Sequence, residues 1–185
     1  MKSRLRLGLV AVLGATSAIW SSVAVTDNSH DASAQKHDAI GLVKEVRDST
    51  ERFRDASIAS AEGYAAFLGC VSGPQEGAMG IHFVNGDLVN DGVLDAERPE
   101  ILVYEPRRNG RMRLVGVEFL VLADAWDAAN PTPPALSGQV FHYSGSPNRY
   151  GLPPFYELHV WAWKTNPSGM FVDWNPHVSC EAYAP

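Results

Sequence analysis

Only two cysteines stand among the 185 residues, no hydrophobic run beyond the first twenty residues is long enough to span a bilayer, and neither a basic stripe nor a basic cluster with interleaved aromatics occurs. Each shortage removes a class of function. A membrane-spanning helix needs roughly 20 apolar residues, so the mature chain has no expected span. Nucleic-acid binding needs a net basic face that releases counterions from phosphates, whereas 21 Asp and Glu here outnumber 15 Lys and Arg. P-loop, GxGxxG, GxSxG, HExxH and close HxH patterns are all missing, which leaves nucleotide, serine-hydrolase and helical zinc-protease chemistry without a signature. The acidic stretch over residues 85–95 does not have the spacing of an EF-hand loop and reads as turn formation. There is no internal repeat and no low-complexity tract.

What is present begins with an export signature. Lys2, Arg4 and Arg6 precede an uncharged run over residues 7–20, and small residues follow at Ser22, Val23 and Ala24. That order of charged, apolar and small segments is a secretory signal, with cleavage expected after Ala24. A second Ala-x-Ala site ending at Ala34 ranks lower because it lies far from the apolar run. No Cys lies near either site, which argues against a lipid anchor. Removing residues 1–24 takes away three basic residues and no acid, so the net charge moves from −6 to −9. The exported form, periplasmic or extracellular, meets an oxidising compartment, where Cys70 and Cys180 are expected to pair. Closing a loop of about 100 residues is worth up to roughly 4.7 kcal/mol in the chain-entropy model, and pairing removes either thiol as a nucleophile.

Residues 25–37 are small and polar without a period and read as a flexible arm, in which His30 and His37 have no fixed role. Residues 38–185 then form a single disulfide-closed domain. Val43, Val46, Thr50, Phe53, Ser57, Ala61 and Tyr64 recur at spacings of three and four, one stripe of a helix that Asp38 caps and Gly63 ends. Asp48 with Glu51 also makes a capping-box pattern, so two helices meeting near Asp48 are an alternative. Beyond Cys70 come short β-rich runs over residues 78–84, 100–107, 111–123, 138–143 and 154–164, with a weaker one over 170–174. Asn109-Gly110 supplies the positive φ of a tight turn and makes a hairpin of the second and third runs. Several runs are apolar on both faces, so the fold class is mainly β with an N-terminal helix (α+β): a small antiparallel β-barrel or sandwich covered by a helix.

A few polar residues break this apolar texture. Glu118 lies between Val117 and Phe119 on the most hydrophobic strand, His82 between Ile81 and Phe83, and His159 between Leu158 and Val160. A carboxylate buried there without a partner costs several kcal/mol, so it must be protonated, paired or bound to a cation. Two imidazoles and a carboxylate are a ligand set for Zn, Mn, Fe or Cu, and His82, Glu118 and His159 are the candidate ligands of a divalent metal ion, with His142 as a fourth. A tight turn places Glu118 opposite Ile101 and leaves Glu105 roughly 13 Å along the same face, outside any shared ligand set. The alternative is that Glu118 pairs with Arg113, Arg149 or Tyr104 and each His donates to a backbone carbonyl.

Tyr104, Tyr156 and Asp173 are the candidates for assisting proton transfer, and Asp173 with His177 is a further acid/base pair. Trp161 and Trp163, two apart, are expected to share a face with His159, as core or as an aromatic wall with Trp174 nearby. Three functions stand side by side: a metal-dependent enzyme, a non-catalytic module binding a metal or small molecule, and a structural or interaction domain.

The segments Gly80-Ile81-His82-Phe83-Val84-Asn85, Val115-Gly116-Val117-Glu118-Phe119, the run from Glu157 through His159 to Lys164, and the run from Asp173 through Pro176 to Cys180 together resemble an uncharacterised family of exported bacterial proteins. The resemblance covers about residues 51–180 and implies export and one shared fold. The arrangement is also loosely similar to cupins, small barrels with His/Glu metal sites, although the paired-His cupin motif is missing.

Overall fold

The computed structural model describes residues 28–184, so the expected signal segment and its cleavage after Ala24 lie outside the described residues. Helix α1 (Asn28–Thr50) is 23 residues long and begins ten residues before Asp38. Residues 31–37, read from sequence as part of a flexible arm, are helical and exposed, as is Asp38. They carry no apolar period, in keeping with their exposure; the helix propagates outward from a packed half whose nucleation cost is already met. In that half Leu42, Val46 and Thr50 are buried. A 3-10 turn (Glu51–Arg54) interrupts the helix, and α2 (Ala56–Ala61) restarts at Asp55, whose side chain accepts from the Ser57 backbone N–H. The break therefore comes later than Asp48. It shifts the phase, so that Ala59 is buried where Ser57 and Ala61 were expected.

The chain then builds strands β1 (Ala65–Ser72), β2 (Ala78–Val84), β3 (Ile101–Pro106) and β4 (Met112–Leu122), with short helices α3 (Gly86–Asp91) and α4 (Ala123–Ala129) between and after them. A small hairpin of β5 (Ala135–Leu136) and β6 (Gln139–Val140) precedes β7 (His142–Ser144) and β8 (Phe155–Val160). Six of these make one antiparallel sheet in the order β1-β2-β3-β4-β8-β7. The sheet curls into a half-barrel. Its edges β1 and β7 do not pair with each other, so the fold is neither a closed barrel nor a two-sheet sandwich. Strand β1 escapes the sequence reading because it is an exposed edge broken by a bulge at Leu68 and Gly69, both at positive φ. Residues 170–174 form no strand; an isolated bridge joins Asn175 to Ala78 instead.

The β3–β4 hairpin meets its expected register by a compensated route. Arg107 pairs with Arg111 and Gly110 N–H donates to the Arg107 carbonyl, so the loop holds three residues rather than two. A bulge then takes the extra residue back: Val103 pairs with Gly116 while Tyr104 pairs with Leu114. Val115 and Gly116 thus stand together against Val103, a local kink that also bends the strand. Gly116 has to be a glycine, since a Cβ there would come within 2.7 Å of the Val160 carbonyl. Beyond the bulge Ile101 faces Glu118, as a tight turn would have given.

Period-two alternation divides the sheet into two apolar faces. On one, Leu102, Tyr104, Val117, Phe119, Leu158 and Val160 pack with Leu42, Val46 and Phe53 from the helical segment. On the other, Ile101, Val103, Val115, Leu120, Phe155 and Trp161 pack with Val178 near the C terminus. The Cys70–Cys180 disulfide, with Cα atoms 5.7 Å apart, ties edge strand β1 to that C-terminal segment. Among the described residues no helix is long and apolar enough to cross a membrane.

Glu100, at the entrance to β3, is buried, with one carboxyl oxygen accepting from the Leu120 N–H and the other without a hydrogen-bond partner. Burial pushes its titration up to about 8. Because the folded form keeps a proton that the unfolded chain gives up from about pH 4.5, stability drains away as pH rises from about 4.5 to 8 and stays level above. Glu100→Gln keeps the acceptor and removes the charge; its Tm at pH 8 is expected above that of the parent, with little difference at pH 4.5, as measured by circular dichroism melts.

Candidate metal centre

Strand pairing brings the three isolated polar residues together on the face away from the helix. Glu118 on β4 is directly opposite His159 on β8, and His82 on β2 is opposite Val103, one row along from the Ile101–Glu118 pair. His82 Nε2 lies 3.2 Å and His159 Nε2 3.5 Å from Glu118 Oε2. One ligand atom from each residue lies within 4.8 Å of the others, and all three residues are buried. Tetrahedral Zn–N and Zn–O bonds near 2.0–2.1 Å separate neighbouring ligand atoms by about 3.3 Å, close to both observed contacts. The two imidazole rings stand edge to face at 5.9 Å, and His159 stacks on the Trp161 indole.

The electrostatics suit a cation. Desolvation lowers the His82 imidazole to about 4, despite the Glu157 carboxyl and a hydrogen bond to the Gly80 backbone, and drives His159 well below the usual histidine range. Both rings are therefore neutral at pH 7, the form that binds metals. Burial raises Glu118 to about 8, although a hydrogen bond from Glu157 works against it. Burial together with the neighbouring Glu118 and Asp173 raises Glu157 to about 9. In the metal-free protein at pH 7 the His82–Glu118 contact thus joins neutral groups, and Glu157 donates its proton to Glu118. Neither ring nitrogen of His159 has a hydrogen-bond partner, although Glu118 and Asp173 stand at 3.5 and 3.6 Å. An unpartnered buried imidazole is costly, and a cation on one side with Asp173 steadying the other would relieve it.

The remaining candidates divide. Asp173 belongs to the site: its carboxylate lies 3.6 Å from His159 Nδ1 and 3.5 Å from His142 Nδ1. His177 is not its partner; the His177 backbone N–H donates to Asn175. His142 is exposed and reaches the cluster only through Asp173, so it is not a fourth ligand of the group of three. Tyr104 lies on the opposite face of the sheet, its hydroxyl donating to the Phe53 carbonyl, and cannot move a proton here. Tyr156 faces away as well, donating to Asp127. Trp161 is core, its indole N–H on the Val172 carbonyl, but Trp163 packs on the helical side against Thr50. Regular strand ends at Val160, so the period-two rule stops applying before Trp163. Arg113 pairs in register with Glu105 and Arg149 lies over Trp174, which leaves neither as the counter-ion of Glu118. Glu105 is held by Lys164 and the Ser179 N–H, apart from the cluster.

Glu157 is the residue that sequence reasoning missed. The signal was there: Glu157 and His159 are two apart on one strand, and alternation puts both on one face. His82, Glu118 and Glu157 also line a cavity of about 160 Å³.

The fold and site together define the class: an antiparallel half-barrel with a buried His/Glu/His group on one sheet face. Comparison with family models, with curated proteins and with solved structures returns no match.

In long-range proton–nitrogen spectra of the metal-free protein, the His82 and His159 rings are expected to stay neutral from pH 8 down to 5.5. A midpoint near 6.5 for either would mean that water reaches the ring.

Proposed function

We propose that the protein is exported and binds one divalent metal ion through His82, Glu118 and His159, acting as a metal-dependent enzyme. The observation that carries this reading is the convergence of three buried ligand atoms from three strands, with contacts of 3.2 and 3.5 Å around one carboxylate oxygen. Two imidazoles and a carboxylate fit Zn, Mn, Fe or Cu. Three protein ligands beside a cavity favour catalysis over storage, because a structural zinc site fills its fourth position with protein. The bound ion would supply Lewis acidity. Glu157, on the cavity wall and hydrogen-bonded to Glu118, gives up and recovers a proton at its carboxyl oxygen. Asp173 orients His159 from behind. Export is supported by the order of residues 1–24 and by the disulfide.

Elemental analysis of protein purified from the periplasm is expected to find one divalent ion per chain. Cobalt(II) titration of the stripped protein should show its visible bands, lost in His82→Ala and His159→Ala and retained in His142→Ala. Because Glu118 must give up a proton to bind, cobalt affinity is expected to rise by about tenfold per pH unit between pH 6 and 8. An affinity independent of pH, or unchanged in His159→Ala, would place the ion elsewhere.

A further inference from the structure

The cavity beside the candidate ligands has a composition of its own. Its walls are built from Ile101, Leu120, Leu122, Leu152 and Phe155, and its polar lining is confined to His82, Glu118, Glu157 and Tyr150. Ordered water needs two to four polar partners, which most of this wall does not offer. A cavity of about 160 Å³ is comparable to engineered apolar cavities that stay dry and accept a benzene-sized guest. Such a space admits one aromatic ring or a short hydrocarbon chain and is too small for a stretch of peptide.

The rim points the same way. Phe67 and Leu68 of β1 also line the cavity and are 38% and 54% exposed. Leu68 sits at φ 59° in the left-handed region, which is strained for a leucine. Strain of this kind persists where the surroundings impose it, commonly at ligand sites; here it turns a large apolar side chain toward the opening instead of the glycine the backbone would prefer. The Cys70–Cys180 disulfide holds the strand two residues further on.

We infer that the cavity takes a small, largely hydrocarbon molecule bearing a single oxygen function, its apolar body against Leu120, Leu152 and Phe155 and its oxygen directed at His82, Glu118 and Glu157. The position of the oxygen rests on the metal-centre reading, since those residues form its floor; the apolar body does not.

The test is an NMR titration of the disulfide-bonded, metal-free protein with para-cresol, which has a methylphenyl body and one hydroxyl, and with glycerol as the polar control. Saturable shifts centred on Ile101, Leu120 and Leu152 are expected with para-cresol and none with glycerol. Leu120→Trp fills the cavity from the sheet and Leu152→Trp from the loop; each should weaken para-cresol at least tenfold. Leu68→Gly, which relieves the backbone strain, should weaken it a few-fold without lowering Tm. No saturable shifts, or equal affinity in both tryptophan variants with their spectra still dispersed, overturns the inference. Cobalt(II) binding measured in parallel separates the two readings. A parent that binds cobalt(II) but not para-cresol loses this inference and keeps the metal centre, whereas one that binds para-cresol but not cobalt(II) keeps the cavity ligand and loses the metal.

Discussion

A carboxyl group buried in the middle of the most apolar strand is the constraint around which the sheet is arranged. Glu118 cannot be solvated there and has no arginine or lysine beside it among the described residues; its neighbours are two imidazoles, a second carboxyl and hydrocarbon. The cost of desolvating a charge is met by keeping Glu118 and Glu157 protonated and His82 and His159 neutral at pH 7. That is a poor arrangement for stability alone. It leaves His159 without hydrogen bonds and holds protons that a dication would displace.

The two faces of the sheet divide the labour. The helical segment covers one face and supplies ordinary core, including the buried hydroxyl contacts of Tyr104 and Tyr64 with backbone carbonyls. The other face holds the polar cluster, and its cover comes from the C-terminal segment and the loop before β8 rather than from a second sheet. An open half-barrel is suited to this, since a closed barrel of similar size fills its interior with side chains.

The candidate site was more legible in the sequence than the outline of the fold. A lone Glu or His inside an apolar strand stands out against its neighbours, and the register rule converts that into a shared face, which is how His82, Glu118 and His159 could be named together. Glu157 was overlooked although it lies inside the same run, two residues before His159 and hence on the same face. The β1 edge was hidden by its exposure and a bulge, and residues 31–37 of α1 by their exposed, small and polar composition. Tyr104 illustrates the limit of composition: a tyrosine on an apolar strand is equally suited to catalysis and to core, and only the side of the sheet it occupies decides. Trp163 failed for a different reason, since a periodicity argument is valid only as far as the strand itself.

The compensated hairpin has an evolutionary corollary. Because the surplus residue of the Arg108–Gly110 tip is absorbed at Val115 and Gly116, the half of β4 that carries Glu118 is indexed by its partner β8 rather than by the tip. Length drift at that tip can be taken up before it reaches the chemistry. The kink acts as an expansion joint, leaving the outer end of the hairpin free to vary while its inner end stays aligned.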